Sequence, residues 1–383
     1  MGMDVAHIPM SLRKDPQIGY YSYFTNAHNL ARAAQGSYIP EFDQTSLNNG
    51  NNLAMINDVS WLLNTNINVS SRLHEEIDTL GALCSVGAIE EGNVAVTSCY
   101  FRNQECGKTE YQHIDDSDMK YVSNKHRLDA GGACSICNCE LETRNINALL
   151  MNIPEKTTDK ISITTPYLRK NINELQNKFG GKKIILSKLR STNIHWSGYN
   201  IDNDFSNYVS MYLASNRNHR NRSELLYLAS SNSSMAVANM VAISTQLDIE
   251  RPINIAALPK ISIITKENSP ADVTLDSLKR IGISRAAINL VLLQSLGSNS
   301  DKIAIPSREF GMMERRLSSN GVIESIHDKY SELQDLPIEE FRIPNRQIIS
   351  QVFKELISPN SDLKVSRRNL LAAKAIGSIV CRN

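Results

Sequence analysis

The sequence predicts an α+β protein dominated by helices, with a mixed N-terminal part that includes an irregular cysteine-rich module and a mainly helical C-terminal part. Three observations carry this. Capped apolar runs at helical spacing recur from residue 165 onward, and β-branched alternation is confined to short runs such as "NVAVTSCYF" at 93–101. Five of the seven cysteines crowd between Cys99 and Cys139, in a stretch without periodicity. A chain of 383 residues exceeds one typical domain. Its divisions read as an N-terminal arm and loop over 1–52, a mixed module with the Cys/His cluster over 53–154 and a helix-rich domain over 155–383.

In chain order, "GYYSYF" at 19–24 and the Asn-Gly loop "TSLNNGNN" at 45–52 read as an aromatic arm, with Thr25 placed to cap a helix through Leu30 and Ala31. Residues 53–63 and 71–83 have the apolar spacing of two further helices, and 93–101 is the first strand. In "TTPYLRKNINELQNKFGG", Thr165 sits at the N-cap and Pro166 in the first turn. Leu168, Ile172, Leu175 and Phe179 share one face, and Gly180 and Gly181 end the helix. A strand follows at 182–189 and a helix at 204–213. The run "RSELLYLASSNSSMAVANMVAISTQL" reads as one long helix, or two broken near 230–234. Beyond it lie a strand at 260–265 and helices at 274–281, 285–296, 308–319, 321–333, 345–357 and 366–379.

Composition narrows the function classes. A net charge of +1 and a pI near 7.6 argue against a generally basic nucleic-acid coat and leave room for local patches. No apolar run reaches membrane-spanning length, and the first thirty residues lack the apolar core of a secretory signal. The odd number of cysteines then reads as reduced thiols of an intracellular, non-secreted protein. Asparagine supplies about one residue in ten, the bias of an AT-rich genome such as that of a virus, phage or symbiont.

Several stretches could carry chemistry. Cys134 and Cys137 form a two-residue knuckle, and Cys106 and His113, with Cys99 as a substitute ligand, could complete a structural zinc site. "ECGKTE" at 105–110 matches only the end of a phosphate loop, because Arg102 stands where the first glycine belongs. No common catalytic motif occurs, so no catalytic residue is assigned. Arg217, Arg220 and Arg222 with His219 make an anion or nucleic-acid contact, which Lys182 and Lys183 could extend. Residues 274–297 resemble a helix-turn-helix in outline, with Gly282 in the turn and Ser284 as cap, but the second helix is too apolar to lie in a groove and reads better as a buried hairpin.

These features favour a non-enzymatic structural protein: a self-associating viral or phage shell or nucleocapsid subunit that contacts RNA or DNA and no membrane. The alternative is a DNA-binding regulator using 274–297 with a structural zinc module, and the third reading is an enzyme whose site no motif reveals.

Overall fold

The computed structural model describes residues 2–44, 52–69, 71–101, 104–113, 142–188, 192–216, 224–230, 233–297, 300–338, 343–358, 366 and 369–381, with backbone alone at 52, 95–101, 104–113 and 142–144. The chain opens with strand Asp4–His7 (β1), a 3₁₀ turn at Ile18–Tyr21, helix Ser22–Ala33 (α1), strand Tyr38–Ile39 (β2) and helices Asn52–Leu63 (α2) and Leu73–Ser85 (α3). Strands Ile89–Phe101 (β3), Gln104–His113 (β4), Glu142–Asn152 (β5) and Ile161–Ile163 (β6) precede helix Pro166–Phe179 (α4). Then come strands Lys183–Ile185 (β7), Ser187–Lys188 (β8), Ile194–Trp196 (β9) and Tyr199–Ile201 (β10), followed by helices Phe205–Tyr208 (α5) and Ser210–Asn216 (α6). Strand Leu225–Ser230 (β11), helix Ser234–Gln246 (α7) and strands Ile253–Leu258 (β12) and Lys260–Ile264 (β13) lead to helices Leu275–Arg280 (α8) and Arg285–Leu293 (α9). Strand Lys302–Pro306 (β14) and helices Arg308–Leu317 (α10), Val322–Leu333 (α11), Arg346–Ile357 (α12) and Leu370–Val380 (α13) complete it.

The mixture of helix and strand agrees with the expected class, but the centre is a parallel sheet in the order β2-β1-β11-β12-β6. Every residue of β1 and nearly all of β11 are buried. Strands covered on both faces carry continuous apolar runs instead of alternation, because neither face meets water. Helix α1 packs with α2, α9 and α13, whereas α7 packs with α4, α5 and α6. A second, antiparallel sheet in the order β4-β3-β5-β7 takes β3, β4 and β5 from between β2 and β6 and β7 from after α4, and builds a smaller core around Leu149, Met151 and Ile184.

Three expectations are corrected here. The segment 1–52 is no peripheral arm: β1 sits inside the sheet between β2 and β11, and Phe24, Ala27 and Leu30 of α1 are fully buried. The run expected as helix from 222 begins instead with β11, since a short apolar stretch in a buried parallel strand has no period to distinguish it from a helix. Helix α9 is buried from Ala286 to Leu293, so it cannot enter a DNA groove, and the regulator reading loses its recognition helix. Helix α4 forms as expected, yet the Thr165 hydroxyl does not cap it; Thr165 Oγ1 accepts from the Ala257 N–H at 2.9 Å and ties the helix to β12.

At the amino end of the central sheet, Asp4 of β1 and Arg251, just before β12, form a buried ion pair at 2.5 Å. Asp4 Oδ1 also accepts the Ser37 N–H at 2.7 Å, and Arg251 Nη2 donates to the Ala214 carbonyl at 2.7 Å. Removing one member strands a charge in the interior, which costs about 3–5 kcal/mol. Asp4→Leu is therefore expected to lower unfolding stability by about 3 kcal/mol or more in urea, and Asp4→Leu/Arg251→Met to recover part of that loss. Losses that add, with the double variant destabilised by the sum of the Asp4→Leu and Arg251→Met effects, would show that the pair is not coupled.

Candidate functional site

Chain topology points to one position on the central sheet. From β1 the chain passes through α1 to β2 on one side, and from β11 it passes through α7 to β12 on the other, so the winding reverses between β1 and β11. In such sheets ligands lodge outside the carboxyl ends of the strands at the reversal. A cleft of about 510 Å³ opens there, within the usual range for small-molecule sites.

Its floor is the carboxyl end of β1, Ile8 to Ser11, beside Ser230 of β11. The Ile8 N–H donates to the Leu228 carbonyl at 2.8 Å, and the Met10 N–H to the Glu41 carbonyl at 3.2 Å, which fixes this end between its two neighbours. One wall is the turn that opens α1, carrying Gln17, Gly19, Tyr20 and Tyr23; the opposite wall is Lys260 and Ile261 of β13. The two walls meet closely at Gly19 and Ile261, and the turn is also tied to the segment before α8: Ile18 donates its N–H to the Val273 carbonyl at 2.8 Å, and Gln17 Nε2 donates to Asp272 Oδ1 at 3.1 Å.

Gly19 is required by this approach, not by its backbone angles. A Cβ added there would stand 2.9 Å from the Ile261 carbonyl oxygen and 3.0 Å from Ile261 Cβ.

Electrostatically the cleft suits an anion. Its lining residues include two cations, Arg13 and Lys260, and no carboxylate. The turn and helix that point their amino end at it have no acid in their first turns, so the backbone dipole adds positive potential. Burial holds the Tyr20 hydroxyl up at about 12 and raises Tyr23, whose hydroxyl pairs with Ser230, so both phenols are neutral donors near neutral pH. His7 lies behind the floor, with Nδ1 at 2.8 Å from the Ile8 carbonyl and Nε2 at 2.9 Å from the Tyr38 hydroxyl. Burial drives its pKa down to about 4, so it stays neutral and anchors β1.

The residues expected to carry function from sequence do not build this cleft. Lys182 is half-buried and Lys183 pairs with Glu90 on the antiparallel sheet. Arg217, His219, Arg220 and Arg222 lie outside the described residues, as do Cys134 and Cys137. Cys99 falls on β3 and Cys106 and His113 on β4, where only the backbone is described, so the zinc expectation also falls outside. The cleft residues Arg13, Gly19, Tyr20, Ser230 and Lys260 were missed because 1–52 read as an arm and 225–230 as helix. The usable signal was an apolar strand, "DVAHIP", a polar loop and a glycine at the start of a helix.

No protein-family model matches the chain, and no curated protein sequence matches it. Among solved structures, it is similar to Mycobacterium tuberculosis methionyl-tRNA synthetase bound by methionyl-adenylate, with a TM-score of 0.60 and 10% identity over 93% of this chain and 77% of that one. A second structure of that protein in complex with methionyl-adenylate gives a TM-score of 0.57, with 10% identity, over 100% of this chain and 82% of that one. Its apo form gives 0.54 with 10% identity, over 99% and 80%. At this identity the likeness establishes the fold.

That fold corrects the functional expectation. The structures sharing it are those of an enzyme, and the reading as a non-enzymatic viral or phage shell or nucleocapsid subunit is overturned; they lend no support to the expected self-association. No helix among the described residues is long and apolar enough to cross a membrane.

The packing of Gly19 generates a direct test. Helix propensity favours alanine over glycine by roughly 1 kcal/mol, whereas forcing a methyl group against backbone costs about 1–3 kcal/mol. Gly19→Ala is expected to be net destabilising in urea unfolding and to separate the cleft walls. A stabilised variant would show that the contact yields freely.

Proposed function

We propose that the chain is an aminoacyl-tRNA synthetase-like enzyme, which binds ATP and an amino acid in the cleft between β1 and β11 and joins them as an aminoacyl adenylate. The observation that carries this reading is the cleft itself: a cationic pocket without lining carboxylates, at the winding reversal, in a fold shared with a methionyl-tRNA synthetase bound by methionyl-adenylate. In that reaction a carboxylate oxygen attacks the α-phosphorus of ATP, the α–β anhydride bond breaks, and pyrophosphate leaves with the bonding electrons. A tRNA hydroxyl then attacks the acyl carbon, and AMP departs.

The residues supply what such chemistry demands. Negative charge gathers on the phosphates as the anhydride opens, and fixed positive groups stabilise it without reorganising. Arg13, Lys260 and the amino end of α1 are those groups here. Ile8, Met10 and Ile261 offer apolar surface, and Tyr23 and Ser230 offer polar orientation, for the remainder of the ligand. RNA is the nucleic-acid partner in this reading, reached from the open side of the cleft.

Two measurements test it. Calorimetric titration with ATP is expected to show one site, with Lys260→Ala binding about tenfold more weakly, the ~1.4 kcal/mol of one charge-assisted contact. Exchange of labelled pyrophosphate into ATP, run with each proteinogenic amino acid in turn, is expected to proceed with one of them. A folded protein that binds no ATP would remove the reading.

A further inference from the structure

The loop that follows β1 carries an exposed arginine held by a defined set of contacts. Arg13 lies with its guanidinium carbon 4.5 Å from the centroid of the Tyr20 ring. The Tyr20 hydroxyl donates to the Ser11 carbonyl at 2.7 Å. Ser11 Oγ donates to Asp43 Oδ2 at 2.9 Å, and the Asp43 N–H donates to the Met10 carbonyl at 3.1 Å. Tyr20 thus touches both the segment that bears Arg13 and the guanidinium itself, while its own backbone belongs to the turn opening α1.

The arrangement addresses a physical problem. A long cationic side chain on a surface loop has many rotamers, and each contact it makes must offset the entropy of fixing it. A guanidinium laid on an aromatic ring has lost much of that freedom before any ligand arrives, so a phosphate meets a ready fork of donors. Asp43, near enough to influence Tyr20, engages Ser11, which holds an acid at this end of the cleft to a neutral donor.

We propose that Tyr20 is a positioning residue that sets Arg13 to grip the phosphates of a nucleotide in the cleft; this rests on the reading of the cleft as an ATP site. Tyr20 acts through Arg13 and the Ser11 carbonyl and makes no contact with the reacting atoms. The role separates phosphate recognition from recognition of the nucleoside.

The test is calorimetric titration of the full chain with ATP and with adenosine, for the unaltered protein and for Arg13→Ala, Tyr20→Leu, Tyr20→Phe and Arg13→Ala/Tyr20→Leu, each checked for folding by its thermal melt. Arg13→Ala and Tyr20→Leu are expected to weaken ATP about tenfold and leave adenosine unchanged. The double variant is expected to bind ATP no more weakly than either single one, because the two residues act as one unit. Tyr20→Phe keeps the ring under the guanidinium and is expected to stay within about threefold of the unaltered protein. The inference is overturned if Tyr20→Leu binds ATP normally, if it weakens adenosine as much as ATP, or if the two losses add in the double variant. An unaltered protein that binds neither ATP nor adenosine overturns the nucleotide reading itself, and this inference with it.

Discussion

The parallel pairing of β1 with β11 is the constraint on which the rest of the molecule depends. It sets Asp4 against Leu225 and His7 against Leu228, and so brings the end of β1 beside Ser230. A slip of one residue would turn every side chain of β1 to the opposite face of the sheet. Two fixed points prevent it: at the amino end Asp4 meets Arg251, and at the carboxyl end His7 bridges the Ile8 carbonyl and the Tyr38 hydroxyl. Burying the apolar side chains of β1 and β11 supplies the driving force, on the order of 1.5–3 kcal/mol for each large one. The polar anchors select the register within which that burial occurs.

The charge of the cleft follows from where its neighbouring acids are engaged. Asp43 accepts from Ser11, Asp272 from Gln17, and Asp58 from Tyr21 and from Lys279. Ser11 and Gln17 line the cleft and each engages a neighbouring carboxylate, while Arg13 and Lys260 stay at the opening. The polarity of the site is therefore built in part by hydrogen bonds from lining residues to acids that do not themselves line it. The buried pair of Glu41 and Arg72 belongs to the same logic, because the Glu41 carbonyl receives the Met10 N–H while its side chain holds the start of α3.

Much of the C-terminal half was legible in the sequence. Helices α8, α9, α10, α11 and α12 form close to where caps and apolar spacing place them, because amphipathic helices announce themselves through period and punctuation. The central sheet was not legible for a physical reason. Its strands are short and buried on both faces, so "LLYLAS" presents neither alternation nor a polar side, and its leucines and alanine favour helix equally well. The candidate site was illegible in consequence. Arg13, Tyr20, Ser230 and Lys260 come from distant parts of the chain and meet only because the strands pair, so no local spacing could connect them. The cysteine and arginine clusters drew attention for the opposite reason, being conspicuous in sequence, while Cys134, Cys137 and the arginines lie outside the described residues.

The separation between β1 and its partner also bears on how the chain is made. Asp4 pairs with Leu225, more than two hundred residues downstream, and among the described residues the other neighbour of β1 is the two-residue β2. At a synthesis rate of about 5–20 residues per second, the first strand emerges from the ribosome on the order of tens of seconds before β11 exists. Throughout that interval an apolar strand with an open hydrogen-bonding edge waits beside a growing chain, the condition in which strands find wrong partners. The antiparallel sheet, whose strands β3, β5 and β7 all precede β11, can pair meanwhile, and its core closes once Ala242 and Ile243 of α7 have followed. The cleft is completed only when Lys260 and Ile261 arrive, although the first part of its floor is made at the start.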